Sequence, residues 1–186
     1  TIIVIILFLL MVGAAFAVLD KSGILQAALS NVVKKYGDQK YTLLLVISFF
    51  FMALGAFFGI FEEVVPLVPI MIALSYSLGW DTLTGLGMSI LATNMGFSAA
   101  ITNPFTIGVA QKLAGLPLFS GAWFRIIIFI VMYAILAIFL TRYAKKIEKD
   151  PKASPVYEED LKSKSQYDNF QLDNLATDNP NLKKAI

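Results

Sequence analysis

Two polar interruptions in an otherwise apolar chain hold most of the groups that could do chemistry. The first is Glu62-Glu63, an adjacent carboxylate pair inside a long apolar stretch, with Pro66 and Pro69 close behind. Carboxylates in hydrocarbon cost about 2.5–3.5 kcal/mol each on insertion scales, so the pair must face a wet cavity, a partner or the membrane surface. There they can hold a proton, Na⁺ or an amino group. The second interruption is residues 94–106, with the amides of Asn94 and Asn103 and the hydroxyls of Ser98, Thr102 and Thr106. Asn103-Pro104 is a helix-start signature, a capping residue followed by proline at the first helical position. A helix beginning there aims its positive end at the break, which suits an anionic group such as a carboxylate. The carbonyls ending the preceding half-helix suit a cation.

What is missing narrows the chemistry further. The chain has no Cys and no His. That removes thiolate nucleophiles, Cys-ligated metals, the commonest general base and the commonest zinc ligand. Glu62-Glu63 could do acid–base work, but no nucleophile or metal constellation accompanies the pair, so the expectation is not an enzyme. The net charge of +2 comes without a basic stripe interleaved with aromatics, so nucleic acid is not an expected partner. No organic cofactor is called for.

The elements that must position these groups read as membrane spans. Of 186 residues, 58% are hydrophobic and only 15% charged, against about a quarter charged in a soluble domain. Residues 1–19 are uncharged and long enough for one crossing. Residues 20–40 alternate lysines with apolar residues at helical spacing, as in an amphipathic helix at the interface. Residues 41–80 form two apolar arms around Glu62-Glu63, with Gly55 and Gly59 spaced to let those arms approach closely. Residues 81–116 are too long for one straight span and too short for two. Asp81 is placed to cap a helix to about Thr93, and a second short helix follows Pro104 to about Leu113; together they read as one discontinuous span. Residues 118–141 are a plain span, followed at once by Arg142, Lys145, Lys146, Lys149 and Lys152, which mark the cytoplasmic side. Residues 150–186 are polar and lack the apolar content for a core, so they read as a cytoplasmic linker, disordered or partly ordered. Lys21, Lys34, Lys35 and Lys40 put the first loop inside too, so an even number of crossings separates Lys40 from Arg142. That count fits a re-entrant hairpin at 41–80 and fits two crossing arms equally.

Gly59-Ile60-Phe61-Glu62-Glu63-Val64-Val65-Pro66 resembles the Gly-x-x-Glu-Glu-x-x-Pro signature of the DcuC/YfcC-type carriers. Asn103-Pro104-Phe105 with Gly108 and Ala110 resembles that family's Asn-Pro-Phe-x-x-Gly-x-Ala motif. Residues 116–125 and Arg142-Tyr143-Ala144-Lys145-Lys146 with Asp150-Pro151 also fit, so the likeness covers about residues 1–157. Ile60-Phe61 stands where the family often has Met-Ala, a conservative departure.

The resemblance implies an all-α membrane protein and a secondary active transporter of the ion-transporter superfamily. Residues 1–149 would be one of its two inverted repeats, with a re-entrant hairpin at about 41–80 and a discontinuous helix at about 81–116. A second repeat, absent from this chain, is an implied partner; lipid and a homodimeric mate are further ones. The implied activity is ion-coupled or exchange transport of a small carboxylate-bearing solute, an amino acid or a C4-dicarboxylate, in a bacterial inner membrane. On this reading Asn103 and the helix at Pro104 hold the solute carboxylate, with Thr106 in the same turn. Asn94, Ser98 and Thr102 add hydrogen bonds or coordinate Na⁺, and Glu62 or Glu63 takes a proton, Na⁺ or the solute's amino group. The alternative is a non-transporting membrane scaffold or subunit, which would need no polar break.

Overall fold

An apolar run beginning at Tyr41 forms the first described helix, α1 (Lys40–Phe58). It stops at Gly59, which takes the left-handed conformation (φ 72°) that a helix end commonly recruits glycine to supply, and whose N–H donates to Gly55 O at 3.1 Å. A 3₁₀ turn, Glu62–Leu67, turns the chain back. It leads into α2 (Val68–Ser77), where Pro69 occupies the first turn and its missing N–H costs nothing. The computed structural model describes residues 39–168, together with Met11 and Ala14. The expected span at 1–19, the interfacial helix at 20–40 and the end of the tail lie almost wholly outside the described residues.

Asp81 caps the next helix as its position predicts, its side chain accepting from the backbone N–H of Thr84 at 2.9 Å. Three pieces then follow without a gap: α3 (Thr82–Leu86), a π-helical turn (Gly87–Leu91) and α4 (Ala92–Ala99). Together they make a rod roughly 27 Å long at the usual rise. The rod overruns the expected end near Thr93, so Asn94 and Ser98 are helical and the non-helical break shrinks to residues 100–103. Polar side chains need not break a helix: Ser98 Oγ donates back to Asn94 O at 3.0 Å, as Thr93 does to Ser89 O and Ser89 to Gly85 O in the preceding turns. After the break come a second π-helical turn (Pro104–Gly108) and α5 (Val109–Leu113), ending where the sequence predicts. Helix α6 (Ala122–Lys149) is continuous and carries the basic cluster on its last turns.

No strand occurs among the described residues. Residues 39–157 form one compact unit; residues 158–186 group with 1–38 in another. Helix α7 (Tyr157–Asp168) spans the division and carries Glu158, Glu159 and Asp160 in its first turn, where carboxylates suit a helix start.

Within the larger unit the close approach expected between the hairpin arms occurs elsewhere. Each arm packs chiefly on the rod, α1 against α4 and α2 against α3. A Cβ on Gly96 would overlap the Met52 carbonyl, and one on Gly55 would lie 2.7 Å from Phe97 N. These two glycines therefore let α1 and α4 cross at backbone contact, as small residues do between membrane helices. Helix α6 lies along α1 in the opposite sense, with Tyr133 OH donating to Leu45 O at 2.9 Å and Phe49 edge-on to Phe129. Its other face bares Trp123, Phe124, Ile127, Ile130, Val131, Ile135, Ile138 and Phe139. Only α1 and α6, among the described residues, are long and apolar enough to cross a membrane.

Candidate functional site

The two polar interruptions meet. Gly59, at the end of α1, lies so close to Asn103 that a Cβ would collide with its side-chain oxygen. A helix end leaves its last carbonyls without partners, and lipid offers none. Here the break supplies them. Thr102 N–H donates to Ala56 O at 3.1 Å and its hydroxyl to Phe57 O at 2.9 Å. The Asn103 amide donates, at a long 3.5 Å, to Gly55 O and to Phe97 O.

Asn103 is fully buried and serves the opposite helix end with its other atom. Its Oδ1 accepts from Phe105 N–H at 2.9 Å and Thr106 N–H at 3.3 Å. This is the capping geometry that Asn-Pro predicts. Both functional atoms of the side chain are thus engaged by protein, and the expected carboxylate-binding amide is here a cap. Ala100, just before, takes a left-handed conformation (φ 46°), an unusual state for a residue with a Cβ. The hydrogen bonds of Thr102 and Asn103 hold the chain in it.

The remaining expected site residues fall around this junction. Pro104 is exposed at the start of its turn. Thr106 Oγ1 is buried and without a hydrogen-bond partner. Asn94 and Ser98 sit one helical turn apart on the exposed face of α4, while Thr93 and Gly96 of the same helix turn inward. Among the described residues neither is hydrogen-bonded to Thr102, whose hydroxyl donates to Phe57 O. Glu62 and Glu63 are exposed at the hairpin tip. Glu63 accepts from Phe61 N–H at 3.2 Å, and the Phe61 ring reaches Phe97 of α4 at 6.0 Å. Among the described residues no group of three acidic side chains is arranged to hold a metal ion.

Arg125 and Gln111 shape the site without having been singled out by sequence, and Asp81, expected only as a cap, does more than cap. Arg125 on α6 donates to the break carbonyl of Ile101 at 3.1 Å, and to Ser120 O at 2.9 Å and Phe119 O at 3.3 Å. Gln111 on α5 grips the same loop, donating to Ser120 O at 2.9 Å and accepting from Phe119 N–H at 2.5 Å. Asp81 holds the far end of the hairpin. Beyond its Thr84 bonds it accepts from Tyr143 OH at 2.6 Å and Ser154 Oγ at 2.7 Å. It lies in the loop ahead of α3, level with the basic end of α6. Burial pushes its carboxyl up, but the hydrogen bonds from Tyr143, Thr84 and Ser154 outweigh that and hold it below its ordinary range. Nearby, Glu148 on α6 takes Lys40 Nζ at 2.6 Å and the Tyr41 hydroxyl, and the Tyr41 and Trp80 rings lie 5.9 Å apart. Both ends of the hairpin are thereby fixed to one stretch of α6. An arginine or glutamine in apolar surroundings was the available signal for the first two; partners as distant in sequence as Tyr143 and Ser154 leave none.

Comparison with known proteins bears on what this arrangement does. The family described as DcuC, C4-dicarboxylate anaerobic carrier, matches residues 1–185. The chain is 32% identical over 156 residues to a protein of Escherichia coli (strain K12) named "Putative basic amino acid antiporter YfcC", covering 84% of this chain and 31% of that protein. It is 28% identical over 160 residues to an uncharacterised protein of Haemophilus influenzae, covering 86% of this chain and again 31% of the relative. The chain thus spans about a third of the length of these relatives. No solved structure matches.

Proposed function

Because the chain belongs to the C4-dicarboxylate anaerobic carrier family, we propose that it forms one repeat of a secondary active transporter for a small carboxylate-bearing solute. The carrier family is not one of enzymes, and the chain is a membrane protein. The single observation that carries the reading is the junction of the hairpin tip with the broken helix. Non-helical backbone at membrane depth occurs only inside protein or against a wet cavity, and interrupted short helices are the best sequence pointer to a transporter site.

In this reading the 41–80 hairpin is re-entrant, and its two ends, both tied to the basic end of α6, face the cytoplasm. Its tip and the break line the solute path of an inner-membrane carrier completed by a second, inverted repeat. The exposed Asn94, Ser98 and Pro104 and the unpartnered Thr106 hydroxyl face the solute or a coupling Na⁺, with Thr102 beside them. Asn103 shapes the helix start that receives the carboxylate. Glu62 or Glu63 carries the proton, Na⁺ or solute amino group. The family description names C4-dicarboxylates and the Escherichia coli relative's name basic amino acids, so both solute classes are carried forward.

The test is uptake by the complete protein in liposomes under imposed Na⁺ and proton gradients, with dicarboxylates set against arginine and ornithine. Gradient-dependent accumulation or exchange of one class is expected, lost on Glu62→Gln/Glu63→Gln. No uptake of any carboxylate-bearing solute, with cysteines placed at Ser98 and Thr102 sealed from aqueous thiol reagents, would instead favour the non-transporting scaffold.

A further inference from the structure

A groove of about 490 Å³ runs along the outer flank of α6, lined by Ile135, Ile138, Phe139, Arg142, Tyr143 and Lys146. These positions fall on one stripe of the helix. The stripe changes character along its length. Ile135, Ile138 and Phe139 are each more than half exposed, and the two cations follow within the next two turns. One wall is preformed: Tyr143 is pinned through its hydroxyl to Asp81, and Phe139 stacks on it with centroids 6.2 Å apart and planes 16° from parallel. Among the described residues neither Arg142 nor Lys146 has a carboxylate partner, the ion pair at this end being Lys40 with Glu148.

We propose that this groove binds an anionic phospholipid, its phosphate head between Arg142 and Lys146 and an acyl chain against Ile135, Ile138 and Phe139. The proposal rests on the membrane reading of α6. The apolar part alone would accept any lipid tail; the two uncompensated cations select a head of net negative charge. Their separation along the helix, about 6 Å, matches the depth of one headgroup layer, roughly 5–8 Å. The apolar-to-basic change after Thr141 puts that layer at this level of α6.

The test is native mass spectrometry of the complete protein in mild detergent, titrated with phosphatidylglycerol, phosphatidylcholine or glycerol 3-phosphate. Phosphatidylglycerol should bind at least tenfold more tightly than phosphatidylcholine, and glycerol 3-phosphate should not displace it. Arg142→Gln/Lys146→Gln should weaken phosphatidylglycerol about 30-fold, at roughly fivefold per charge removed. Arg142→Lys/Lys146→Arg should bind like the parent, which guards against a folding defect. Lys149→Gln/Lys152→Gln removes the same charge beside the groove and should change binding less than about threefold. Equal weakening by that pair would mean diffuse attraction to the basic end and overturn the proposal, as would equal binding of phosphatidylcholine or displacement by glycerol 3-phosphate. Failure of the complete protein to partition into membranes would instead overturn the reading beneath it.

Discussion

Replacing Asn103 by alanine separates a structural cap from a solute ligand. The substitution removes the Oδ1 that accepts from Phe105 N–H at 2.9 Å and Thr106 N–H at 3.3 Å. Loss of a capping side chain costs about 0.5–2 kcal/mol. Asn103 is fully buried and its bonds to Phe105 and Thr106 are part-buried, so each N–H that water does not reach adds about 1–3 kcal/mol unless the turn relaxes. The Asn103 donations to Gly55 O and Phe97 O are 3.5 Å long and add little. A net loss of about 2–3 kcal/mol is expected, read as a fall in melting temperature of roughly 5–10 °C for the purified protein in detergent. Asn103→Ser keeps a good capping acceptor and should recover most of it. Uptake measured on the same variants completes the assay: transport restored by serine follows the cap, whereas transport lost in both follows the amide. An alanine variant within about 0.5 kcal/mol of the parent, or a serine variant no better than alanine, would refute the capping argument.

The same structure fixes further outcomes. Gly96→Ala drives a Cβ into the Met52 carbonyl and should destabilise by at least about 2 kcal/mol, since backbone on both sides must move; melting in detergent checks it. Ala100→Gly relieves the left-handed conformation and should raise stability by up to about 1 kcal/mol. Asp81, whose carboxyl is held low when folded, contributes stability that is complete above its ordinary value of 3.8 and is lost as pH falls through the lower folded value. Melting followed downward from pH 6 should therefore drop below about pH 4 in the parent. Asp81→Asn should start lower and lose that acid limb.

Capping was legible in the sequence because it is local. Asp81 ahead of Thr84, and Asn103-Pro104 ahead of Phe105, place acceptor and donor within three residues, and both caps form. The long apolar helices were legible for a similar reason, since length and composition suffice. The extent of the break was not. Asn94, Ser98 and their neighbours looked like breakers by polarity, yet Ser98 satisfies its hydroxyl on its own helix, and the turn itself falls at Ala100, where glycine would be the natural choice. Gly55 was read as a contact between arms; its actual partner is α4, because the rod takes the space against each arm. The meeting of Gly59 with Asn103, and of Asp81 with Tyr143 and Ser154, joins residues tens of positions apart. Nothing in local spacing marks such pairs.

The hairpin is held by different chemistry at its two ends. At the tip, Thr102 and Asn103 grip neutral backbone carbonyls, bonds that neither protons nor salt can titrate. At the root, Lys40, Glu148 and Asp81 are ionic, and Glu148 stands partly in solvent. Acidity and ionic strength therefore act on the bonds that hold the root and not on those that join Thr102 and Asn103 to the end of α1. Conditions in the compartment that bathes the root can loosen or tighten the whole hairpin by its footing, while the contact at the break answers only to what competes for its hydrogen bonds.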